Sequence, residues 1–106
     1  MDHMTHIPDL GALIEINEDA TVSRTALKAE GVRIVMFSFD AGQELTEHTA
    51  AMPVLLQVID GALTVTAGGD TVELAPGAVI HLPTRMPHSV LATQPSRMVL
   101  TMLDNR

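Results

Sequence analysis

The chain has no cysteine, no tryptophan and no tyrosine, and only two phenylalanines, Phe37 and Phe39, among its 106 residues. Without thiols, disulfides, thiolate nucleophiles and cysteine-ligated zinc or iron–sulfur sites are excluded. Without large aromatics, the interior must be built from Val, Leu, Ile, Ala and seven Met. Methionine fits irregular gaps, so such a core can line a pliable apolar cavity. Positive charge is scarce as well. Six Lys and Arg stand against thirteen Asp and Glu, a formal net charge of −7. The six cations (Arg24, Lys28, Arg33, Arg85, Arg97 and Arg106) are scattered along the chain. A nucleic-acid partner needs a basic patch and is not expected. Long hydrophobic runs are missing too: none approaches the ~20 residues of a membrane-spanning helix. The first ten residues, MDHMTHIPDL, lack the basic start and apolar segment of a signal peptide. The expectation is a cytoplasmic protein that binds neither membrane nor nucleic acid.

Apolar residues make up 46% of the chain and charged residues 18%, which excludes a disordered polymer. The length fits one domain with a single core. Residues 1–19 read as an N-terminal arm or short strand. His3 and His6 lie near its free end as a solvated tail, and Leu10 to Ile16 forms a short strand or helical turn packed on a neighbour. From residue 20 to 106 the pattern is β. Val32 to Asp40 is rich in β-branched and aromatic residues. Glu30-Gly31, Asp60-Gly61, Gly68-Gly69-Asp70 and Pro76-Gly77 supply turns. Eight to ten strands with turns every eight to twelve residues predict an all-β barrel or sandwich with antiparallel pairing. No segment carries ten or more residues of helical apolar spacing.

Two stretches stand out within this frame. GQELTEHTAAMPVLLQVIDG runs from Gly42 to Gly61, and GAVIHLPTRMPHSV runs from Gly77 to Val90. Each opens on a glycine and carries a histidine, His48 in the first and His88 in the second. Their spacing resembles the two motifs of small single-domain cupins of the RmlC-like superfamily. The first family motif is G-(x)5-H-x-H-(x)3,4-E-(x)6-G, matched here by Gly42, His48 and Gly61. The second is G-(x)5-P-x-G-(x)2-H-(x)3-N, matched by Gly77, Pro83 and His88. The resemblance covers roughly Val32 to Leu103 and implies a cupin-type double-stranded β-helix, or jelly-roll barrel.

Both motifs are incomplete. Ala50 stands where the second histidine is expected, Val54 where the glutamate is, Arg85 at the inner glycine and Ala92 at the asparagine. In metal-binding cupins, by resemblance, three imidazoles and a carboxylate would hold Fe, Mn, Ni or Zn. Only His48 and His88 remain at the matched positions, whereas a catalytic metal site usually keeps three protein ligands. His81 is a possible third ligand; Glu47 has the wrong strand parity relative to His48, and Met52 is a soft donor unsuited to Fe(II) or Mn(II). If no bulge intervenes, positions 48, 50, 52, 54, 56 and 58 share one face. His48, Ala50, Met52, Val54 and Leu56 then line a ligand pocket, joined by His88. Arg85 lies in a turn, facing solvent or reaching over the barrel mouth.

The expected function is therefore a stand-alone barrel that binds a small, largely apolar molecule, anchored by two histidines and holding a divalent metal weakly if at all. The alternative is a metal-dependent oxygenase or isomerase using His48, His88 and a third ligand not yet placed. A barrel that serves only to dimerise is a third reading. The outward row Leu55, Gln57 and Ile59 is apolar enough to want cover, which predicts a homodimer.

Overall fold

The structure is a computed structural model that describes residues 3–103; Met1, Asp2 and the last three residues of the expected barrel span lie outside it. Nine strands fill most of that length: β1 (Thr21–Ala29), β2 (Val32–Phe39), β3 (Glu44–His48), β4 (Val54–Asp60), β5 (Leu63–Ala67), β6 (Asp70–Leu74), β7 (Val79–Leu82), β8 (His88–Ala92) and β9 (Ser96–Leu103). The glycines of the turns read from the sequence fall between them. Gly61, Gly68 and Gly69 all have positive φ, the backbone that tight hairpins require and that glycine adopts without steric cost. No helix among the described residues is long and apolar enough to cross a membrane.

The strands form two sheets, one ordered β1-β2-β9-β4-β7 and the other β3-β8-β5-β6. Every pairing is antiparallel. This is the expected jelly-roll arrangement of two antiparallel sheets. Alternation along the strands decides what fills the space between them. Val54, Leu56 and Val58 of β4 and Met98 of β9 point inward from the larger sheet. Leu63 and Val65 of β5 and Val90 and Ala92 of β8 meet them from the smaller one, and all are buried in one core with Phe39. Burying a side chain of this size contributes about 1.5–3 kcal/mol, so the core is ample for one domain. Phe37 and Phe39, with ring centroids 6.2 Å apart, are the only aromatic rings in it besides histidine.

A second apolar cluster lies on the outer face of the larger sheet. Ile14, Met36 and Val99 are buried there, with Leu10, Val22 and Ile59 packed around them. The N-terminal arm supplies its cover. Leu10–Leu13 makes one 3-10 turn, capped by the Asp9 carboxylate, which accepts from the Gly11 N–H at 3.0 Å. The carbonyls that follow have no ladder partner, and buried backbone acceptors need one. Three side chains provide it. Arg24 donates to the Leu13 carbonyl (2.8 Å), Arg97 to that of Ile14 (2.9 Å) and Ser38 to that of Glu15 (2.8 Å). Arg97 also bridges to Asp60 at 2.9 Å. The arm is thus clipped onto the barrel, and it shields part of the row, Ile59, that the sequence left wanting a partner.

Candidate functional site

The expectation of a single inward row from His48 to Val58 does not hold. β3 ends at His48 in the smaller sheet, and the chain crosses over residues 49–53 to begin β4 at Val54 in the larger one. Parity cannot be carried across that crossing. A bulge adds a second break. Leu45 pairs with Val90, but the next pair is His48 with His88, so β3 spends one residue more than β8 between the two. The bulge turns His48 to the same side as Leu45. That side is inward, because Val90 and Val65, the register partners of Leu45 and of one another, belong to the core.

The residues do come together, from two walls rather than one row. His48 and His88 face each other across β3 and β8, with ring centroids 4.2 Å apart and planes tilted by 60°. Each ring is oriented by its own backbone. Nδ1 of His48 donates to the Thr46 carbonyl and Nδ1 of His88 to the Met86 carbonyl, both at 2.9 Å. A carbonyl only accepts, so each Nδ1 carries the proton, and in the neutral ring each Nε2 is left as an acceptor. His88 is buried and His48 exposed, so the pair spans from the interior to solvent. Burial pulls the His88 pKa below the ordinary imidazole value, charge on His48 adds to that, and the Met86 hydrogen bond opposes it.

Ala50, Val54 and Leu56 lie in or against the core, Val54 and Leu56 fully buried. Met52 lies at the rim, where it lines a cavity of about 140 Å³ with Lys28, Arg33 and Met102. Arg85 is exposed at the same end, and its N–H donates to the Ala50 carbonyl at 2.8 Å. It occupies the inner-glycine position of the second motif with a φ of 61°, so the left-handed turn persists without the glycine. His81 is not a third member of the pair. It pairs with Leu55, between the inward residues Val54 and Leu82, and so belongs to the other face of the larger sheet. It is exposed, and it borders a groove that the core-facing residues Val65, Ile80 and Leu82 also line.

The donor set does not fit a resident divalent ion. The pair offers two neutral nitrogens and no carboxylate, and among the described residues no three His, Cys, Asp or Glu side chains are grouped to hold a metal. Sequence reasoning also overlooked Lys28 and Arg33. A two-residue turn at Glu30-Gly31 makes Ala29 and Val32, then Lys28 and Arg33, register partners, and that spacing was available to find them.

Residues 35–104 match the family described as the cupin domain. No curated protein matches the chain. Among solved structures, a conserved protein of unknown function from Streptococcus pyogenes is 26% identical with a TM-score of 0.84, over 100% of this chain and 92% of that one. An RmlC-like cupin from Desulfovibrio desulfuricans is 27% identical with a TM-score of 0.82, over 95% and 97% of the two chains. A cupin superfamily protein from Desulfitobacterium hafniense shares the fold at 23% identity and a TM-score of 0.85, over 99% and 95%.

Proposed function

The chain belongs to the cupin domain family, and from that premise we propose that it is a ligand-binding barrel rather than a metalloenzyme. Its ligand is a small, largely apolar molecule held at the barrel mouth. The observation that carries this reading is the His48–His88 pair with both Nδ1 protons committed to backbone carbonyls. Two fixed Nε2 acceptors on an otherwise apolar wall are the sparse polar anchors that orient a ligand in a pocket. Ala50, packed against the core two residues from His48, supplies apolar surface. A hydroxyl or amide N–H on the ligand would satisfy the acceptors without any metal.

The test is native mass spectrometry and metal analysis of untagged protein purified without chelator. The expected result is a bound organic molecule, or uptake of one from a small-molecule library, that is lost in His48→Ala and His88→Ala variants. Stoichiometric metal that disappears in those same variants would overturn the reading in favour of the metal-dependent enzyme.

The homodimer belongs to the same proposal. Leu55 and Gln57 share the outward face of β4 with Ile59, which the arm already covers. Two-fold pairing over the remainder is the commonest way to cover such a face. Sedimentation that gives a monomer at micromolar concentration removes it.

A further inference from the structure

The few positive charges are distributed in a pattern that the histidine pair does not explain. Of the cations in the described residues, Arg24 and Arg97 are bound to the N-terminal arm, and Arg97 makes the one salt bridge among those residues. Of the other three, Lys28 and Arg33 stand together beside Met52, and Arg85 is exposed in the turn before β8. Lys28 and Arg33 are direct register partners in the β1–β2 hairpin, and like charges so placed repel. Arg33 pairs in turn with Met102, and Met102 with Val54, which is in the core. Lys28 and Arg33 therefore project from the core-facing side of the larger sheet, beyond the point where the smaller sheet covers it. In a chain with a net charge of −7, two facing cations with no carboxylate at ion-pair distance among the described residues form a local positive site.

We infer that Lys28, Arg33, Met52 and Met102 form a groove for a small organic carboxylate, distinct from the histidine pair. The groove holds about 140 Å³, close to a cavity of ~150 Å³ that admits benzene. Its floor is the two thioethers, which pack favourably on the edge of an aromatic ring. Its rim is a guanidinium, the group that matches a carboxylate with two parallel hydrogen bonds, beside an ammonium. A bound carboxylate also relieves the Lys28–Arg33 repulsion. The class that satisfies floor and rim together is an aromatic or short branched carboxylate of benzoate size.

Benzoate is the probe, with benzyl alcohol and benzylamine as neutral and cationic controls, titrated into the full chain by calorimetry and ligand-observed NMR. Benzoate binds one to one and more weakly as salt is raised, while the controls bind at least about tenfold more weakly. The Lys28→Met/Arg33→Met variant keeps the apolar stems, and in it benzoate affinity falls by about tenfold or more. Its thermal midpoint should equal or exceed that of the parent, which shows that it folds. His48→Ala binds benzoate as the parent does. The inference is overturned by absent benzoate binding, by unchanged affinity in the double Met variant, or by loss in His48→Ala alone. That last result would place the carboxylate at the histidines, a failure separable from that of the ligand-binding proposal.

Discussion

Gly61 offers a prediction whose size can be worked from the structure. It closes the first motif and turns the chain from β4 into β5 with a φ of +89°. A Cβ added there would overlap the Ser96 hydroxyl and the Pro95 carbonyl, and would sit 2.6 Å from Ser96 Cα. Two of those three atoms are backbone, so no rotamer change relieves the overlap. The left-handed conformation alone costs an alanine about 1–2 kcal/mol, offset by ~0.4–1 kcal/mol of lost freedom in the unfolded chain. Displacing Ser96 adds more. Its buried hydroxyl accepts from the Ala62 N–H at 3.0 Å and lies 2.7 Å from the Gln94 carbonyl, and breaking such bonds costs about 1–3 kcal/mol. Gly61→Ala should therefore cost roughly 3 kcal/mol, a large share of the ~5–15 kcal/mol typical of a whole domain. Gly69 is the control. Its φ is +85°, yet nothing lies within 4 Å of an added Cβ, so Gly69→Ala should cost only about 1 kcal/mol. Urea denaturation of both variants gives the comparison. In thermal melts the difference should appear as midpoints lowered by about 12 °C and about 4 °C. Equal losses would refute the argument from close approach.

Three further outcomes follow from side chains at the site and the arm. Folding favours the neutral His88 ring, so the native state binds fewer protons than the unfolded chain, whose imidazole has the ordinary value of 6.5. This stabilisation is complete above that pH and is lost as pH falls through the lower native pKa. Thermal midpoints measured from pH 8 to pH 5 should fall at the acid end, and the slope should flatten in His88→Gln. Arg97→Met removes the donor to Ile14 and the partner of Asp60, whose other oxygen, Oδ1, is buried without a partner. It should cost about 1–3 kcal/mol and expose the arm to limited proteolysis near Leu13, whereas an unchanged cleavage pattern would mean that the arm is held by packing alone. Arg85→Gly relieves a left-handed non-glycine residue and should stabilise the protein by up to about 1 kcal/mol in urea melts.

The fold was legible because its signals are local. Hairpin dipeptides such as Asp60-Gly61 and β-branched runs such as Val32–Phe39 specify turn and strand without reference to the rest of the chain. The spaced glycines, Pro83 and the two histidines added the family. The site was legible only in part. Sequence brought His48 and His88 to one pocket, but it extended the strand parity from His48 through Met52 to Leu56, across what is a change of sheet. No short-range pattern marks the point where a strand leaves one sheet for the other. The bulge between Leu45 and His48 is equally silent, since it depends on how β3 meets β8. His81 looked available because its strand is apolar on both sides, and only the register with Leu55 shows which way it turns. Lys28 and Arg33 appeared scattered in a charge count and became neighbours once the hairpin was folded.

The bulge in β3 decides which chemistry faces His88. Had β3 run regularly past Leu45, the residue opposite His88 would be Glu47, and the imidazole would meet a carboxylate in place of a second ring. An anionic neighbour would favour a charged His88 and present a mixed nitrogen–oxygen ligand pair, the start of the metal site that the motifs otherwise lack. One inserted residue in an edge strand thus sets a second imidazole, and not a carboxylate, opposite His88. It also leaves a second register one step away, and removing Glu47 would make the strand regular with His48 locked in place.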